Sequence, residues 1–412
     1  MTIENVTLFT ASQSGGLGLS EILPGESRDI QFTAGRSDRL SFATELAESS
    51  DWFLAPNDRG IALYDDKGPI SGDITSLVHL WTLGTELPEE LGVGPDTKAN
   101  QSSELQGVQS QYPYVTQIPD GEMFCLPGCE TRFAVPKVSD MFRATLTSTG
   151  PGTFSLHFEN ISTDTTLVTR AGTQAIHLSA PVWAVHPEVL GSPIFREKGG
   201  PTDQSMIAFA EDGDNTQLVS HLMGRTGEGT PLGKAVYAIH QSGQPLYTPG
   251  EKDRGLGLEQ LAEDGDPTRI AASLAADHTV SQSDKLVAPF NTGVQGPLQP
   301  GDKFELFLEP QPGDRLSFAS MFGTSNDWFF ATQSDGVPFF NDDGTHVVGQ
   351  IPIVLLDLGT EVDEPLRYGP DTGPMQSSPG QGAADPNPMV RGVDNRDNLI
   401  SVTFDTYEIA PE

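Results

Sequence analysis

Residues 300–344 read PGDKFELFLEPQPGDRLSFASMFGTSNDWFFATQSDGVPFFNDDG, and residues 24–68 read PGESRDIQFTAGRSDRLSFATELAESSDWFLAPNDRGIALYDDKG. Side by side they share a Pro-Gly turn, the run DRLSFA, an acidic Asp-Trp-Phe step and a closing Asp-rich turn. FELFLE and RLSFAS alternate at period 2, as strands do when one face lies against a core. The turns PGES, PGDK, PGDR, NDDG and DDKG cut these runs to strand length, because Pro presets φ and Gly accepts the left-handed region. ISVTFD and FSLHFE repeat the alternation elsewhere. Antiparallel β-structure is the expectation.

Outward from this core the repeat continues. LWTLGTELPEELGVGPDT (80–97) parallels LLDLGTEVDEPLRYGPDT (355–372), and DMFRATLTST (140–149) parallels NLISVTFDTY (398–407). A second repeated type lies between them. APVWAVHPEVLGSPIFREKG (180–199) with IAFAEDGDNTQLVSHLMG (207–224) parallels KAVYAIHQSGQPLYTPGEKD (234–253) with LEQLAEDGDPTRIAASLAA (258–276). The first half therefore reads as a circular permutant, with a C-part over 1–150 and an N-part over 154–224. The second half, 225–412, runs in natural order. Two β-sandwich domains with short helical insertions are expected, since LEQLAEDG and PTRIAASLAA read as two short helices separated by a Gly stop. FSLHFENIS (154–162) looks like an opening strand, and only one clear example serves two sandwiches. A sandwich short of a strand has an open edge that another copy could fill.

Composition bounds the function. Gly (44) and Pro (32) are spread without a collagen-like period and favour many turns. The net charge of −34 repels nucleic acid and anionic lipid, which argues against both as partners. No apolar run approaches the length that spans a bilayer, so membrane insertion is not expected. The N-terminus MTIENVTLFT shows no signal-peptide pattern. Cys125 and Cys129 in FCLPGC suggest a disulfide across a Pro-Gly turn, fitting an extracellular or cell-surface setting. Two thiols without a nearby His cannot complete a zinc shell.

The order and spacing of five motifs resemble the spondin N-terminal domain of F-spondin, mindin and microbial secreted proteins. They are Ala238-Ile239-His240, Leu261-Ala262-Glu263-Asp264-Gly265-Asp266-Pro267, Arg315-Leu316-Ser317-Phe318-Ala319, Asn326-Asp327-Trp328-Phe329 and Asp357-Leu358-Gly359-Thr360-Glu361. The match covers 233–409 and, in permuted order, most of 1–224. The resemblance implies a C2-like antiparallel sandwich, a Ca²⁺ site in loops at one end, and adhesion or matrix binding rather than catalysis. By position it points to Asp327, Asp357 and Glu361 as ligands, with Asp363 as a further one. Carboxylates spaced around a turn at Gly359 also suit calcium's preference for hard oxygen donors. In the first half Asp51 and Glu86 occupy the matching places, but Thr82 replaces Asp357 and Pro88 replaces Asp363. Weaker calcium binding is expected there.

The acidic turn AEDGD, at 210–214 and 262–266, reads as a helix stop carrying solvated charge. His186 and His240, at equivalent strand ends, read as buried structural histidines. Trp52 and Trp328 read as core. No nucleophile elbow, Walker loop, HExxH or paired CxxC is present, so no enzyme is expected. The leading expectation is a secreted, calcium-assisted binding protein whose partner is a protein or a cell-surface or matrix component. A self-assembling fibre or surface-layer subunit, binding copies of itself, is the alternative, with a carbohydrate-binding module third.

Overall fold

Alternation in the sequence becomes two-faced strands in the computed structural model, which describes residues 1–7, 9–98, 100–103, 107–110, 113–124, 132–199, 204–227, 230–290, 292–393 and 399–406. The fold is mainly β, 35% strand and 11% helix, with antiparallel ladders. Cys125 and Cys129 lie outside the described residues. No helix among the described residues is long and apolar enough to cross a membrane.

The chain divides into two compact units, Phe9–Glu228 and Met1–Leu8 with Gly229–Glu412. We call them the inserted unit and the split unit. In the inserted unit one sheet runs Thr116–Ile118, His79–Thr82, Trp52–Ala55, Asp38–Glu45, Val182–Pro187 and Gln13–Gly16. The opposing sheet runs Ser27–Thr33, Thr153–Asn160, Phe142–Gly150 and Gly72–Asp73. Leu40, Phe42 and Leu54 point from the first sheet into a core shared with Phe32, Phe142, Phe154 and Phe158 of the second. Phe42 meets Phe158 edge-on at 4.9 Å, a favoured aromatic geometry. The alternate residues Ala43, Phe53 and Ala55 face the other way, onto Met206 and Phe209 of the helix Gln204–Asp212 and Leu218 of the helix Thr216–Gly224. Each half-pleat of this central sheet is thus covered, which explains why its strands are buried on both faces.

The split unit repeats the plan. Its larger sheet runs Val280–Leu286, Leu232–His240, Arg315–Phe322, Trp328–Ala331, Val354–Asp357 and Arg391–Gly392. The predicted helix pair forms at Leu258–Asp264 and Thr268–Ala276, with Gly265 in the left-handed conformation as the stop between them. Leu261, Ile270 and Leu274 of these helices pack on Val236, Ala319 and Phe329.

The expected division at 224/225 is corrected at the N-terminus, because residues 1–8 group with 229–412 rather than with the first half. The strand Thr2–Asn5 lies between Lys303–Glu305 and Ile400–Phe404 in the split unit's smaller sheet. Thr153–Asn160 has the same place between Ser27–Thr33 and Phe142–Gly150. The physical tie is an asparagine. Asn160 donates from Nδ2 to the carbonyls of Ile22 and Ile176, both at 2.8 Å. Asn5 donates likewise to Thr230 and Leu298, at 2.9 and 3.0 Å. Each then accepts at Oδ1 the backbone N–H two residues on, from Ser162 and Thr7. Glu-Asn-Val-Thr (4–7) and Glu-Asn-Ile-Ser (159–162) are therefore the same element, and the second opening strand is Thr2–Asn5. Both match the Asn-x-Ser/Thr glycosylation pattern, yet both side chains are fully buried.

Candidate carboxylate site

In each unit the Asp-Trp step is held by a serine two residues before the aspartate. Ser325 Oγ donates to Phe322 O and accepts the Trp328 N–H; Ser49 Oγ does the same with Leu46 and Trp52. This turn buries the preceding aspartate against the Gly-Thr-Glu loop. Asp327 Oδ2 accepts the backbone N–H groups of Thr360 (2.9 Å) and Glu361 (3.0 Å) and the Thr360 hydroxyl (3.2 Å). Asp51 Oδ2 accepts the Glu86 N–H (3.2 Å) and Thr85 hydroxyl (3.3 Å), and its Oδ1 accepts the Thr82 hydroxyl (2.7 Å). Burial pushes both aspartates upward in pKa while these donors pull them down. Asp327 Oδ1 is buried and accepts no hydrogen bond among the described residues.

The structure brings Asp327, Asp357 and Asp363 together, with one carboxylate oxygen from each within 4.8 Å of the others. Glu361 stands outside that triad, although its backbone N–H binds Asp327. Asp357 Oδ1 accepts the Gly359 N–H at 2.6 Å. Asp363 accepts the Trp328 indole N–H at 2.7 Å, and that ring is half-buried rather than core as expected, because its nitrogen reaches a loop carboxylate. Arg391 supplies the neighbouring positive charge. Its guanidinium pairs with Asp357, lies 2.7 Å from Asp385 and 3.6 Å from Asp363. Burial and the charges of Asp327 and Asp363 still raise Asp357 to about 7, against the pull of Arg391.

The inserted unit loses this outer network as a set. Asp357 faces Arg391 across two strands, and the same register places Thr82 opposite Thr116. Glu361 bridges Ala384 as Glu86 bridges Gln109, which aligns Asp385 with Ser110. Pro88 stands for Asp363. Where the arginine goes, its carboxylates go too.

What both units keep is deeper. Glu211 and Glu263, in the AEDGD turns, are only 2% and 5% exposed, so the expectation of solvated charge there is corrected. They close helices whose apolar face is packed into the unit, which carries the glutamate in with it. Glu211 lies near the Thr85 side chain and Glu263 near that of Thr360, the threonines whose hydroxyls bind Asp51 and Asp327. Glu86 and Glu361 complete the pairs. Burial first, and then the facing glutamate, raises Glu86 to about 9 and Glu361 to about 8. Burial raises Glu211 and Glu263 each to about 7. Gly107 and Gly382 lie directly over Glu86 and Glu361, where a Cβ would come within 1.7 and 2.2 Å of the carboxylate. The clue in the sequence was the unchanged AEDGD, occurring twice amid divergent neighbours.

His186 and His240 are fully buried, each Nε2 at 2.8 Å from a serine hydroxyl, Ser41 and Ser317. Trp52 and Trp81 are buried and offer no face to a sugar. Compared with known proteins, the chain matches no family model and no curated protein.

Proposed function

We propose that this is a non-catalytic, calcium-binding β-sandwich protein of the spondin type, acting outside the cell as an adhesive or matrix-type binding module. Asp327 carries the reading. A carboxylate oxygen buried without a hydrogen-bond partner costs free energy unless a cation or proton neutralises it. It stands among aspartate oxygens no more than 4.8 Å apart, a spacing that oxygen ligands about 2.4 Å from one calcium ion would satisfy. Arg391 shares those carboxylates, so an ion there competes with an internal counter-charge. The partner we propose is a protein or a cell-surface or matrix component, consistent with the strong negative charge. The fibre-subunit reading loses the motive of a missing strand, since Thr2–Asn5 fills that place.

Thermal melting in calcium against EDTA tests the ion. A ligand that binds only the folded state raises the midpoint as its concentration rises. Equal midpoints across millimolar calcium would remove the calcium reading.

A further inference from the structure

We infer that each unit holds a hard divalent cation between its two buried glutamates: Glu86 with Glu211 in the inserted unit, Glu361 with Glu263 in the split unit. This rests on the proposed reading that the loop ends bind calcium, and it moves the principal site inward from the Asp357–Asp363–Arg391 network.

The argument begins with unpartnered oxygens. Among the described residues, both carboxylate oxygens of Glu86, Oε1 of Glu211, Oε2 of Glu361 and Oδ1 of Asp327 are buried without a hydrogen-bond partner. Glu86 is 1% exposed and Glu361 5%. The charges bearing on them are acidic: Glu211, Asp51, Asp96 and Glu89 on Glu86, and Glu263, Asp327 and Asp371 on Glu361. Hydrogens are also too few. The Thr85 and Thr360 hydroxyls give their one proton to Asp51 and Asp327, which leaves none for the helix-end glutamate. A buried pair of this kind must be neutralised, by a shared proton or by a cation held between its members, and a cation displaces that proton when it binds.

The internal repeat says which carboxylates matter. The Arg391 network is present in one unit and absent from the other, with its arginine and acids replaced together. The Asp, Thr, Glu and helix-end Glu recur in both, as do the glycines that leave room for the glutamate carboxylates. Donors that are all oxygen suit calcium better than zinc or copper.

Equilibrium dialysis of the full chain against calcium chloride tests the assignment. The expected result is one ion per unit, with Glu211→Gln and Glu263→Gln each removing one ion and the double variant removing both. Melting in EDTA guards against misfolding: each Gln variant should melt no lower than the parent there, having lost a buried ionisable group, and should gain less from added calcium. If the parent binds no calcium, the cation reading falls with this inference. If it binds calcium and both Gln variants bind as much, the inference alone is overturned, as it is if only Asp357→Asn removes an ion.

Discussion

Single side chains set the sharpest expectations. Asn160→Ala removes one of two donors from each of the buried carbonyls of Ile22 and Ile176 and leaves the Ser162 N–H without its acceptor. We expect a loss of about 3 kcal/mol, given the cost of leaving buried polar groups unsatisfied, read as a shift in urea midpoint. The histidines predict a pH dependence. Burial holds His186 down at about 4, below its ordinary 6.5. The unfolded chain therefore binds the proton first as pH falls. The stability contributed by the neutral ring is complete above 6.5 and is lost progressively between 6.5 and about 4. The difference in unfolding free energy between the parent and His186→Gln should shrink across that window; a difference constant from pH 7 to 4.5 would contradict it. At this scale the sequence was a partial guide. Asp51, Asp327, Glu86 and Glu361 were visible because they sit in aligned motifs. Glu211 and Glu263 were not, since a charged helix end beside a Gly stop looks the same whether it meets water or a neighbouring loop.

At the scale of elements, two devices can be separated. Arg391→Thr leaves Asp357, 3% exposed, without its counter-ion. We expect a loss of about 1–3 kcal/mol, below the 3–5 typical of a fully buried pair because the arginine is partly solvated. The double variant Asp357→Thr/Arg391→Thr, which copies the Thr82–Thr116 pairing of the other unit, should recover most of that loss in urea melts. The second device is the N-terminal strand. Ile3 is fully buried, so Ile3→Ala should cost about 2–5 kcal/mol. A chain lacking residues 1–7 should lose stability in the split unit and regain it, saturably, when a peptide MTIENVT is added. No response to the peptide would show that the slot between Lys303–Glu305 and Ile400–Phe404 is not a strand acceptor. The antiparallel strands and the paired helices Leu258–Asp264 and Thr268–Ala276 were legible as repeated alternation and turn chemistry. The opening strand Thr2–Asn5 was not, because a four-residue strand with a single buried aliphatic side chain carries too little periodicity. Its kinship shows only in Glu-Asn-x-Thr/Ser.

For the whole molecule, two like-built units carry the same buried acids in different settings. One adds an arginine network around Asp357; the other replaces it with neutral side chains. A net charge of −34 makes every buried carboxylate harder to hold unneutralised, and a bound cation in each unit would relieve the strain where it is greatest. Anomalous diffraction from crystals grown with calcium tests this most directly. The account predicts one anomalous peak between Glu86 and Glu211 and another between Glu263 and Glu361. Well-ordered carboxylates with no peak at either pair would contradict it.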